Sequence, residues 1–261
     1  MPKRKSAPTK TMTTAVRSKK AKLQSVEHYS GSSNSGPSPV QQNLKKLFDK
    51  YRDDPTNEPD RIGLEGTMGY FEVLGIGLDD VIFLAIFDLL DAPEMGVLTR
   101  ESFVNNWSNV STPSNPCDNE KSQKLYIETL RQKLKSDPAY FRQVYKGSFT
   151  YAKPAGQRVV PLEDSFAFWD MFFGGGKGGI QWNSPTTKWY DLWREYYEGK
   201  NKRPVNKDLW NQVAELVAKT REEGGETLGW WSEDGAWPTA VDDFVAFVKE
   251  KREKGGAMDT T

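Results

Sequence analysis

From Pro37 onward, large apolar residues recur three and four positions apart, the spacing that lines one face of a helix. Val40, Leu44, Leu47, Phe48 and Tyr51 form one such stripe after Ser38-Pro39, and Leu64, Met68, Phe71 and Leu74 form a second. Val81 to Leu90 is apolar nearly all round, the mark of a helix buried on most sides. Thr99 is placed to cap a helix carrying Phe103 and Trp107, and Pro113 to Asn119 reads as a loop. Leu125 to Leu134 predicts a further helix, and Ser136-Asp-Pro138 opens another with Phe141, Val144 and Tyr145. Leu162 to Phe173 and Trp189 to Tyr197 are two more, and Asn206 caps one bearing Trp210, Val213 and Val217. The last buries Val241, Phe244, Val245 and Val248, with Pro238 in its first turn, where a missing N–H costs nothing. On that register Asp242 and Asp243 point away from the core, near a helix N-terminus that favours acids. Alternating strand patterns are nearly absent, so the predicted fold is all-α with about ten helices.

Two segments have the outline of a calcium loop between helices, Asp91 to Ser102 around Gly96 and Trp230 to Val241 around Gly235. Such a loop needs oxygen ligands at fixed positions and a bidentate Glu at its end. Pro93, Met95 and Ser102 in the first, and Trp230 and Val241 in the second, cannot supply them. Both are therefore expected to be degenerate EF-hand-like units that hold no metal. A helical EF-hand-like adaptor or calcium sensor is the alternative function, disfavoured by the missing ligands.

Charge divides the chain. Residues 1–36 hold eight Lys or Arg against one Glu, leaving 28 basic and 35 acidic residues in the remainder. Rich in Ser, Thr, Pro and Lys and almost without large apolar residues, the first 36 positions are expected to form a disordered basic tail. The helical domain then spans 37–252, and 253–261 is expected to be a flexible C-terminal tail. Within the basic tail, Lys3, Arg4 and Lys5 form one cluster, and Arg17, Lys19, Lys20 and Lys22 form a second about 11 residues on. That layout is a bipartite nuclear localisation signal, expected to be read by a nuclear import receptor. A nuclear protein, also present in the cytoplasm, is the expected localisation. The acidic body is a poor nucleic-acid binder and suits a basic protein surface better.

No apolar run approaches the roughly 20 residues of a membrane helix, and the basic start lacks the apolar core of a secretory signal. No membrane partner is expected. Asn106-Trp-Ser and Asn109-Val-Ser match the glycosylation sequon but should stay unmodified without a secretory route. The single cysteine, Cys117, excludes an internal disulfide and fits a reducing compartment. With one histidine in the chain it makes a poor nucleophile. Phe172-Phe-Gly-Gly-Gly-Lys-Gly-Gly179 lacks the preceding strand and the Ser or Thr after Lys177 that a phosphate loop requires, and reads as a mobile surface loop. No nucleophile, base and oxyanion hole assemble. The reading is a non-catalytic protein without cofactor.

Five motifs carry a resemblance: Ile62-Gly-Leu-Glu-Gly66, Phe149-Thr-Tyr-Ala-Lys153, Trp189-Tyr-Asp-Leu-Trp193, Asn206-Lys-Asp-Leu-Trp210 and Glu233-Asp-Gly-Ala-Trp-Pro238 followed by Asp-Asp-Phe-Val245. In this order, over about residues 40–250, they resemble the defective-in-cullin-neddylation family and its potentiating-neddylation (PONY) domain. The resemblance implies a member without the N-terminal ubiquitin-associated domain of some relatives and with the basic tail of nuclear ones. The resemblance implies a scaffold-type co-ligase that binds a cullin winged-helix domain and the N-terminally acetylated neddylation conjugating enzyme together. It would reach the cullin-bound RING protein indirectly. The implied cullin face is Asp208, Ala236 and Asp242, held from beneath by Trp210, Trp231 and Trp237. The implied N-acetylmethionine pocket takes Leu64 and Thr67 from one helix, Phe83 and Ile86 from the next, Met95 and Leu98 from the loop after it, and Tyr151, Phe168 and Met171. An uncharged acetyl group suits such an apolar pocket, where a free ammonium would have to be desolvated. Thr67 replaces an aliphatic residue of the family, and Met95-Gly96 differs from its usual loop.

Overall fold

The computed structural model describes residues 36–258. Both basic clusters of the tail lie outside the described residues. The helical body runs through α1 (Pro39–Lys50), α2 (Leu64–Leu74), α3 (Ile82–Leu89), α4 (Arg100–Val110), α5 (Glu120–Ser136) and α6 (Pro138–Ala152). It continues through α7 (Leu162–Phe173), α8 (Trp189–Tyr196), α9 (Lys207–Arg221) and α10 (Thr239–Met258). The fold is all-α, with ten α-helices among the described residues. None of them is long and apolar enough to cross a membrane.

Local side-chain caps set five of the ten helix starts among the described residues, because the first N–H groups of a helix have no partner inside it. Ser38 and Gln41 cap α1 reciprocally: the Gln41 N–H donates to Ser38 Oγ at 3.2 Å and the Ser38 N–H to Gln41 Oε1 at 3.0 Å. Thr99 accepts from the Ser102 N–H, Asn119 from Ser122, Asp137 from Ala139 and Tyr140, and Asn206 from Leu209. Helix α2 has no side-chain cap of its own. Asp53 supplies it from a distance, accepting from the Gly63 N–H at 2.6 Å and the Gly66 N–H at 2.9 Å. A Cβ at Gly66 would lie 1.8 Å from the Tyr51 carbonyl oxygen, so only glycine allows this approach.

The buried face of α2 differs from the predicted stripe. Thr67, Tyr70, Phe71 and Leu74 face the core, whereas Leu64 is 63% exposed. Met68 is half-buried. Pro238 lies just outside α10, its carbonyl accepting from the Val241 and Asp242 N–H groups. Helix α10 adds Phe247 to the predicted core face and continues to Met258, past residue 252. A π-helical turn, Tyr197–Asn201, follows α8.

Among the described residues four two-residue strands tie the inter-helix loops in pairs. Strand β1 (Arg61–Ile62) is antiparallel to β2 (Leu98–Thr99), and β3 (Val159–Val160) to β4 (Val205–Asn206). The Asp91–Ser102 segment thus pairs with the loop after α1. The Trp230–Val241 segment carries no strand, so the two calcium-loop outlines are not partners. Their Gly signals mark isolated turns: Gly96 takes φ 78°, and the Gly235 N–H closes onto the Ser232 carbonyl. Among the described residues no three His, Cys, Asp or Glu side chains gather as metal ligands.

The core is unusually aromatic. Tyr145 and Trp210 stack at 5.1 Å, the Trp210 indole donates to the Tyr145 carbonyl, and the Trp169 indole donates to the Tyr145 hydroxyl. Trp193 meets Phe244 edge-on at 5.1 Å and so joins α8 to α10. Each such pair adds about 0.5–1.5 kcal/mol beyond area burial. The glycine-rich segment after α7 is pinned rather than loose. Lys177 pairs at 3.3 Å with the fully buried Asp80, which Arg131 also holds, and the Lys177 carbonyl accepts from the Val81 N–H. A buried carboxylate is tolerated only when paired in this way.

Candidate functional site

The N-terminal ends of α9 and α10 border one groove of about 690 Å³, which extends to Tyr196 and Tyr197 at the end of α8. Asp208 enters it from the first turn of α9 and is exposed. Asp243 enters it from α10, with Glu250 two helical turns on. Among the described residues Arg203 is the one cation lining this groove. Asp208, Asp243 and Glu250 outweigh Arg203 among the lining side chains, which makes the opening acidic and receptive to a basic surface.

Asp242 faces elsewhere. Successive helical residues project about 100° apart, and here that turns Asp242 from the groove lining toward Trp231 while Asp243 lines the groove. Asp242 is half-buried and its Oδ1 accepts the Trp231 indole N–H at 2.9 Å. Lys249 lies over the Trp231 ring at 4.1 Å. Trp230 packs edge-on against Trp237 at 5.4 Å and donates its indole N–H to the Gly225 carbonyl at 3.1 Å. These contacts fix the turn that presents Ala236, which is exposed. A Cβ at the preceding Gly235 would lie 2.9 Å from the Ser232 carbonyl and 3.1 Å from Trp237, so a side chain is admitted only from Ala236 on. Trp210 is a fully buried residue of α9, and Trp231 and Trp237 are half-buried along the turn.

The residues expected to form an N-acetylmethionine pocket divide into two sets. Met95, Tyr151 and Phe168 line one cavity of about 460 Å³, rimmed by Lys153 and Asp164. Leu64 sits against the same loop, since a Cβ at Gly96 would approach its Cδ1 to 2.7 Å. Thr67, Phe83, Ile86 and Leu98 are buried and lie outside the lining of that cavity. Phe83 connects to it through Phe87, at 4.7 Å, which meets Tyr151 at 5.5 Å. Met171 is half-buried, one turn beyond Phe168 on α7. Thr67 Oγ1 is buried without a hydrogen-bond partner. Burial also drives the Tyr151 hydroxyl above its ordinary value, so it stays protonated.

Cys117 is fully buried, and burial pushes its thiol above the ordinary cysteine value. Its thiolate is therefore disfavoured. His28 lies outside the described residues.

A family model described as cullin binding matches residues 122–247. That range contains Asp208, Ala236, Asp242 and Asp243. "Defective in cullin neddylation protein 1" of Pyricularia oryzae is 32% identical over 216 residues, covering 80% of this chain and 75% of the relative. The protein of that name in Cryptococcus neoformans is 34% identical over 224 residues, covering 80% and 76%. This chain belongs to the defective-in-cullin-neddylation family. Human "DCN1-like protein 5" is more distant, 25% identical over 195 residues and covering 74% of each chain. Asp243 is absent from the face that the resemblance implies, yet it lines the groove with Asp208.

Proposed function

We propose that this protein promotes cullin neddylation as a non-catalytic scaffold, binding a cullin winged-helix domain at the α9–α10 groove and the N-terminally acetylated conjugating enzyme at the α6–α7 cavity. The observation that supports this most is the exposed Asp208 beside Asp243 in one groove within the family's cullin-binding region. Ala236 admits a close approach at the edge, and Asp242 locks the turn while offering its second oxygen. Holding both partners raises their effective concentration and limits their relative orientation. The transfer itself stays with the partners' own cysteine and lysine, and the RING protein is met through the cullin. Asp208→Lys tested by calorimetric titration with an isolated cullin winged-helix domain should weaken binding, because it places a like charge in a complementary interface. Unchanged affinity would remove Asp208 from the face.

For the second partner, the cavity lined by Met95, Tyr151 and Phe168 is the entrance, and Leu64 is the side chain that would move to admit a methionine. Acetylation lets the chain end enter without desolvating a charge. A peptide with the conjugating enzyme's N-terminus should bind better acetylated than free, and Leu64→Asp should erase the difference. Equal affinities in the unsubstituted protein would exclude the pocket. The two basic clusters of residues 1–36 direct nuclear import in this account. Deleting residues 1–24 should shift a tagged protein toward the cytoplasm.

A further inference from the structure

A second groove, unrelated to either proposed face, lies where the α5–α6 corner meets the C-terminal half of α9. Its cavity is about 510 Å³, and its walls are the edges of Leu134, Phe141, Phe173, Ile180 and Val217. That volume is within the range of sites that enclose a ligand group. Three cations border it: Lys135 from α5, Arg142 from α6 and Arg221 from the last turn of α9. Arg142 is shared with Glu215 at 3.3 Å, while Lys135 and Arg221 have no ion-pair or hydrogen-bond partner among the described residues. The acid on the rim, Glu222, is held by Lys219 at 3.0 Å.

The cationic rim continues. A neighbouring cavity of about 360 Å³ shares Leu134 and Lys135 with this one and adds Arg131 and Lys177. Both of those cations anchor on buried Asp80, and Arg131 also meets Glu128 at 3.2 Å. The result is a basic border around an apolar slot, on a body that carries 35 acidic against 28 basic residues from position 37 on. Basic charge collected beside an apolar opening, against the sign of the body, specifies the occupant by complementarity. Asp208 and Arg221 stand at opposite ends of α9, about 20 Å apart along its axis at the helical rise. The groove is therefore separate from the cullin face.

We infer that this groove docks an acidic peptide segment of another protein, which inserts one large apolar side chain between Phe141, Phe173 and Val217 and places flanking carboxylates on Lys135 and Arg221. The chain's own first 36 residues are unsuited to the slot, because eight cations against one acid would meet a cationic rim. The apolar side chain gains by leaving water, and the flanking carboxylates gain charge-assisted hydrogen bonds from unpaired donors.

The test is selection of short random displayed peptides on the full chain, with counter-selection on the double variant Lys135→Glu/Arg221→Glu. Both positions are exposed, and circular dichroism should show the helices of the variant unchanged. The expected result is enrichment of peptides with a Trp, Phe or Leu flanked by Asp or Glu. A synthetic peptide of the enriched sequence should lose roughly tenfold in affinity on the double variant, as expected for reversal of complementary rim charges. Filling the slot with Ala218→Trp should weaken it independently of charge. Enrichment of peptides without acids, or affinity that is indifferent to both variants, would overturn the inference. So would flotation with phosphatidylserine vesicles, or a dimer in sedimentation, that depends on Lys135 and Arg221 while no peptide is enriched.

Discussion

Trp231 donates its indole N–H to Asp242 Oδ1 at 2.9 Å, so an acid of the proposed cullin face is also a fastening of the turn that presents Ala236. Charge and structure can be separated there. Asp242→Asn keeps an acceptor for the indole and should stay within about 0.5 kcal/mol of wild-type stability. Asp242→Ala leaves a half-buried indole N–H without that acceptor and should cost about 1 kcal/mol. Thermal unfolding distinguishes the two, and both should bind the cullin winged-helix domain less well.

Asp243 is expected to matter to cullin binding as much as Asp208 does. It lines the same groove and is exposed, without the indole contact that Asp242 makes. Asp243→Lys should lower winged-helix affinity by about tenfold, near 1.4 kcal/mol. Its melting temperature should be unchanged. Calorimetry with both variants at two salt concentrations checks this, since the loss should shrink as screening grows.

Thr67 gives a stability prediction with the opposite sign. Its hydroxyl is buried without a partner, on the core face of α2. Thr67→Val keeps the shape and removes the unsatisfied group, so it should stabilise the fold by up to about 1 kcal/mol. Urea unfolding with an unchanged slope would report this directly.

The link between α1 and α5 should set part of the acid response. Lys50 Nζ donates to Glu120 Oε1 at 2.6 Å, and this hydrogen bond holds the Glu120 carboxyl below its ordinary value of about 4.5. A carboxyl lowered in the folded state contributes stability that is present above pH ~4.5 and is lost as pH falls through the folded value. Glu120→Gln should therefore destabilise the protein near neutral pH, and the gap from wild type should close as pH falls below that point. A gap that stays constant through the acid range would contradict the assignment.

What the sequence made legible was chiefly local. Thr99 and Asn206 cap their helices as read, and α7 spans the predicted Leu162–Phe173, because caps and apolar spacing act within a few residues. On α2 the spacing placed Leu64 on the buried stripe, whereas Thr67 and Tyr70 are buried and Leu64 is exposed, beside a Gly66–Tyr51 approach that is distant in sequence. The pairings of β1 with β2 and β3 with β4 involve two residues each, too few for an alternating pattern. The glycine-rich loop looked mobile because its anchor, Asp80, lies far off in the chain. At the candidate site, Asp208 and Ala236 were implied by the family resemblance alone, and the fold leaves both exposed. The different surroundings of Asp242 and Asp243 could not be read from the sequence, since only the fold shows that Trp231 reaches one of them.

The scaffold account is tested most directly by single-turnover transfer from the charged conjugating enzyme to a cullin, with and without this protein. Wild type should accelerate the transfer, and the double variant Asp208→Lys/Asp243→Lys should lose the acceleration while folding normally. Cys117→Ala should retain it, because a buried thiol takes no part. Full acceleration by the double variant, or its loss in folded Cys117→Ala, would contradict a protein that works only by holding its partners.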